Sequence, residues 1–130
     1  MKHLALIFLS FMLLIKCSED SDILSANDES TYRSIAYNSL SPQEKGSIIP
    51  DWEEAKVLQG VYHKKGDTDI FVIDSESSFS FYLKDSIVTL INGQNLVSVT
   101  FNTVDDSLLG PIVVIVDTNS EKAIGFLLRL

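Results

Sequence analysis

The chain has 130 residues, enough for one hydrophobic core and too few for two domains once a leader is set aside. Its formal charge at pH 7 is -8, from 18 acids against 10 bases, which repels phosphate backbones and anionic headgroups and so argues against nucleic-acid binding and polybasic membrane docking. A single cysteine excludes an internal disulfide, so the folded part has to be held by apolar packing.

Met1-Lys2-His3 is a short positive start, Leu4 to Ile15 is apolar except for Ser10, and the first acid is Glu19. This is the layout of a secretory signal. About a dozen apolar residues rise only about 18 Å as a helix, short of the roughly 30 Å hydrocarbon core, so a permanent span is not expected. The apolar run ends on the lone cysteine, in Leu14-Ile15-Lys16-Cys17-Ser18-Glu19-Asp20.

That stretch resembles the lipobox of bacterial lipoproteins, with Leu14 three places and Ile15 two places before the acylated cysteine, and with Lys16 where the family usually has a small residue. Ser18, Glu19 and Asp20 resemble the acidic export signal of Bacteroidota-type lipoproteins. The resemblance implies that residues 1–16 are a signal peptide, that Cys17 carries the lipid (palmitate among its acyl groups), and that the protein is anchored in the outer membrane facing the cell surface. The competing reading is an ordinary signal peptide followed by a chance cysteine.

From Ser18 to Glu29 five acids sit among serines with no base, and residues 17–28 read as a flexible acidic tether leading to a single domain over 29–130. Tyr32, Ile35, Ala36 and Leu40 share one helical face, which predicts a helix over 28–39 capped by Asp28 or Asn27. Ser41-Pro42-Gln43-Glu44 has the spacing of a capping box with proline in the first turn, predicting a short helix to about Ile49. Pro50 stops it, and Asp51-Trp52-Glu53-Glu54 predicts one further turn.

From Lys56 the period falls to two and β-branched and aromatic residues dominate. Strands are expected over 56–63, 69–74, 79–83, 87–91, 96–101, 112–116 and 123–128. Asn92-Gly93 is read as a hairpin turn between the fourth and fifth of these. Ile112 to Val116 is apolar on both faces and therefore an interior strand. The fold class expected is α+β: N-terminal helices packed on an antiparallel meander sheet of about five to seven strands. Helices cover one face of such a sheet, leaving the other to curvature, a loop or a second copy in a homodimer.

No set of residues points to catalysis or to a cofactor. His63 has no partner histidine or cysteine to build a zinc site, no nucleophile elbow or phosphate-binding glycine loop is present, and Asp117-x-Asn119-x-Glu121 reads as an Asx turn, with Lys122 where a calcium loop places glycine. Carboxylates abound, and Asp105-Asp106 in the longest loop are the best placed for binding. Trp52 and Tyr62 offer an aromatic platform for a glycan near the helix-to-sheet junction, with a core plug as the plainer role for the tryptophan. The expectation is a non-enzymatic binding or scaffolding domain for an extracellular protein or glycan. A second reading comes from Gln59-Gly60-Val61, which is similar to the inhibitory hairpin of cystatins, with His63 where that motif closes on glycine; it implies an inhibitor of secreted proteases.

Overall fold

The computed structural model describes residues 24–85 and 87–129, so Cys17, Ser18, Glu19 and Asp20 lie outside the described residues. Six antiparallel strands, β1 (Lys56–Lys65), β2 (Thr68–Asp74), β3 (Ser77–Leu83), β4 (Asn95–Phe101), β5 (Ile112–Asp117) and β6 (Lys122–Phe126), close into a barrel in the order β1-β2-β3-β6-β5-β4. Among the described residues one helix exceeds two turns: α1, Ala26–Asn38. It starts inside the stretch read as tether, because the Ser25 hydroxyl, and not Asn27 or Asp28, accepts the Asp28 N–H at the first turn.

Helix α2 (Pro42–Ser47) forms on the capping box read from the sequence, with Ser41 Oγ accepting from Glu44 N and the Glu44 carboxylate accepting from Ser41 N. A 3-10 turn follows at Trp52–Glu54 on an Asp51 cap. Between them Ile48 bridges Thr103, tying this segment to the residues after β4.

Two differences from the predicted sheet stand out. The strands do not form one meander but two, β1-β2-β3 and β4-β5-β6, joined edge to edge by the β1–β4 and β3–β6 ladders. Residues 87–91 are not a strand. In a ring of six, β3 and β4 stand opposite one another, so residues 84–94 have to cross the barrel end. No strand lies beside them to accept a ladder, and alternation without a partner leaves backbone groups unpaired. The crossing is fixed instead by one local bond and by bonds to β1: Asp85 Oδ1 accepts from Ile87 N, Gly93 N donates to Tyr62 O at 2.8 Å, and Asn92 Oδ1 accepts from Lys64 N at 2.8 Å. Asn92-Gly93 does turn the chain, Gly93 at φ +90°, but onto β1 and not between two strands.

The second sheet face is closed by curvature. Tyr62, Phe71, Phe81, Leu96, Val113, Ile115 and Ile124 form one buried cluster to which all six strands contribute, and only the barrel interior is shared by all six. Val88 and Leu90 of the crossing segment pack against it and stopper that end. Residues of opposite parity on β4 and β5, Val97, Val99, Phe101, Ile112, Val114 and Val116, form a second cluster with Tyr32 and Ala36 of α1 and with Ala55. This explains why β5 is buried at every residue: its two faces belong to two cores.

Two of the interior rings, Phe71 and Phe81, lie against glycines of the neighbouring strand, Gly60 and Gly125. A Cβ on Gly60 would lie 2.5 Å from a Phe71 ring carbon and 2.7 Å from the Val72 carbonyl oxygen; one on Gly125 would lie 2.7 Å from the Phe81 ring and 2.8 Å from the Tyr82 carbonyl oxygen. Phe71 stacks on Phe79 at 5.0 Å between centroids, and Tyr62 meets Phe81 edge-on at 6.3 Å, both favoured arrangements of aromatic quadrupoles.

Candidate ligand groove

The four residues read as possible binding residues, Trp52, Tyr62, Asp105 and Asp106, fall in three separate places. Tyr62 is inside the barrel, 3% exposed, with its hydroxyl donating to Asp69; burial first, and that carboxylate second, push its pKa up to about 12. Trp52 is half-buried on the outer side and stacks on Tyr37 at 4.8 Å, with Lys45 Nζ 5.0 Å from the Tyr37 ring centroid. The two rings belong to different clusters and form no common platform.

Asp105 and Asp106 lie in the connection from β4 to β5, which contains the single-turn helix α3 (Asp106–Leu109). Asp106 Oδ1 accepts from both Thr103 N (2.9 Å) and Thr103 Oγ1 (2.8 Å), and Thr103 Oγ1 in turn accepts from Arg129 Nη2 at 2.8 Å. Asp106 therefore spends one of its oxygens on holding the loop, while Asp105 is exposed. Asp117 accepts from Gln94 Nε2, Asn119 N and Ser120 Oγ, an Asx turn that joins β5 to β6 and anchors the end of the crossing segment. His63 is exposed near the tip of β1, and Gln59, Gly60 and Val61 sit mid-strand, paired with Val97, Leu96 and Asn95 and away from any hairpin turn.

Gln59, Gly60 and Val61 border a cleft of about 740 Å³ with a more polar lining, and a smaller, more apolar concave site lies elsewhere. On the outer side of β5 and β6, where α1 hands over to α2, a groove of about 360 Å³ runs beside Leu40, Ile112, Val114, Phe126 and Leu128. This is within the size range of small-molecule sites, and its floor is apolar, as theirs are. The strand pair Val114–Phe126 sets the floor, and Phe126 and Leu128 remain 36% and 56% exposed. Tyr82, 53% exposed, extends the apolar surface, its ring 6.2 Å from that of Phe126.

Three ionisable groups line the groove: Glu44, Lys84 and Arg129. The Glu44 carboxylate already accepts the Ser41 N–H of the capping box. Arg129 donates from Nε to Gly110 O at 2.9 Å and from Nη2 to Thr103, which fixes the segment after β6 along the start of β5. Lys84 is held by its backbone, N donating to Ile124 O at 2.8 Å, and its side chain is exposed. Among the described residues neither Lys84 nor Arg129 forms an ion pair.

Comparison with protein-family models, curated proteins and solved structures finds no match. The groove is thus read from its own chemistry. Sequence reasoning passed over it because its residues come from 39–44, 84, 112–114 and 125–129, which only barrel closure brings together. The one signal in the sequence was the apolar character of both faces of residues 112–116, which required a cover on the outer side; the groove lies where that cover runs out. Among the described residues no group of three or more His, Cys, Asp or Glu side chains gathers as a metal site, and no helix is long and apolar enough to cross a membrane.

Proposed function

We propose that the chain is a lipid-anchored lipoprotein of the outer membrane, displayed toward the cell surface, whose barrel is a non-enzymatic binding module and whose ligand seat is the groove beside β5 and β6. The observation that carries the binding role is the groove itself, an apolar trough of about 360 Å³ left open on the outer side of the barrel. Support for the anchor comes from Leu14-Ile15-Lys16-Cys17 and the acids that follow it. In this reading α1 and α2 are laid on the sheet as a fixed wall, with Leu40 at their junction forming one side of the trough, and the tether joins the domain at the start of α1.

Three experiments test it. Radiolabelled palmitate is expected in the wild-type protein and not in Cys17→Ser; equal labelling, or an intact N-terminus with a free thiol, removes the anchor. A ligand screen on the full chain, read by NMR of the methyl groups of Leu40, Val114 and Leu128, is expected to perturb these methyls first. Reproducible turnover that is lost in Asp105→Ala or His63→Ala overturns the non-enzymatic role.

A further inference from the structure

We infer that the groove takes a linear apolar chain ending in one carboxylate, an alkyl carboxylate of roughly eight to twelve carbons, with its anionic end at Lys84. The inference rests on the reading of the groove as the ligand seat and adds the chemical class of the ligand. Its first ground is shape. On one side the trough is lined by consecutive residues of β6 and the segment after it, Gly125 to Arg129, with Lys84 among the other lining residues. Five residues of chain span at most about 16 Å when fully extended. A saturated chain of carbon–carbon bonds of about 1.5 Å advances about 1.3 Å per bond along its zigzag, so eight to twelve carbons span roughly 9 to 14 Å and fit within that length. The floor of Leu40, Ile112, Val114, Phe126 and Leu128 offers side chains without donors or acceptors, which suits methylenes and does not reward hydroxyls.

The second ground is charge. The chain as a whole carries -8, so an anion is repelled from most of its surface. The groove inverts this balance locally, with two cations against one acid. The Glu44 carboxylate is turned to its own helix N-terminus, and two donors of Arg129 are spent on Gly110 and Thr103. The Lys84 ammonium has no carboxylate partner among the described residues and stands at the edge of apolar surface, where a charge pair is less screened than in open water. A cationic head at this place meets Lys84 and is rejected.

The test is a titration of the full chain in lipid nanodiscs with octanoate, octan-1-ol and octylamine, using empty nanodiscs to correct for partitioning and the Leu40, Val114 and Leu128 methyl signals as readout. Octanoate is expected to bind about fivefold more tightly than octanol, the scale of one solvent-edge ion pair, with octylamine weakest. Lys84→Met is expected to abolish the preference for acid over alcohol while leaving octanol binding in place. Leu128→Asp, at an exposed position where folding is not at stake, is expected to weaken all three probes. Equal binding of acid and alcohol, or a preference that survives Lys84→Met, overturns the anionic class and leaves the groove reading standing. No shift of these methyls with any probe overturns both. Shifts of the same methyls with protein concentration alone assign the groove to a second copy of the chain and likewise overturn the inference.

Discussion

The Tyr62 hydroxyl, inside the barrel and bonded to Asp69, couples the fold to pH at the alkaline end. Its pKa is raised from 10 to about 12, so the folded state favours the neutral phenol. The stabilisation from this group is complete below pH 10 and is lost as pH rises from there through 12. A titration at 295 nm is expected to show one tyrosine ionising together with the loss of far-ultraviolet ellipticity, and Tyr62→Phe is expected to remove that step. Gly60 makes the complementary point about space. Gly60→Ala is expected to lower stability by about 1–3 kcal/mol, the usual cost of overpacking a core, measured by urea unfolding. Adding Phe71→Leu restores only part of it, since the Val72 carbonyl oxygen remains 2.7 Å from the new methyl.

Among elements, those governed by local chemistry were legible in the sequence. Ser41-Pro42-x-Glu44 produced its capping box, Asp51 its turn, and Asp117 its Asx turn, because each depends on atoms within three residues. Residues 87–91 were misread for the opposite reason. The alternation of Ile87, Thr89 and Ile91 with Val88 and Leu90 is that of a strand, yet its cause is a crossing segment that drops Val88 and Leu90 onto the barrel core and leaves Ile87 and Ile91 at 78% and 71% exposure. No pattern within five residues distinguishes a strand partner from a barrel mouth. Val88→Ser combined with Leu90→Ser is expected to open that end, costing about 2–4 kcal/mol in urea unfolding and admitting a dye that binds exposed apolar surface. Ile87→Ser and Ile91→Ser, on the outward side, are expected to change stability by less than about 0.5 kcal/mol.

At the scale of the molecule, the antiparallel class follows from the short turns, whereas closure and strand order do not, and periodicity offers seven strands where six form. Closure depends on where the edges of two meanders meet, which is a property of residues far apart, Lys56 with Thr100 and Tyr82 with Phe126. The groove inherits the same opacity, since Lys84, Val114 and Leu128 meet only in the closed ring. The two seams are unequal: β1 and β4 pair at six positions, β3 and β6 only at Tyr82–Phe126 and Leu83–Gly125. Amide exchange is therefore expected to be fastest, among the strands, for the groups bonded across β3–β6, and slowest in β4 and β5. Equal protection at both seams contradicts this ranking.

The crossing of residues 84–94 over the barrel mouth is the one covalent link between two halves that are each a complete three-stranded unit. Cutting the peptide there removes no rung of any ladder. Two separately synthesised pieces, ending and beginning within that crossing, carry all the instructions for docking in their edges, and are expected to reassemble when mixed, with an affinity that fails first at the short seam. A barrel built this way is also a ready split reporter, its groove beside β5 and β6 existing only while both pieces are together.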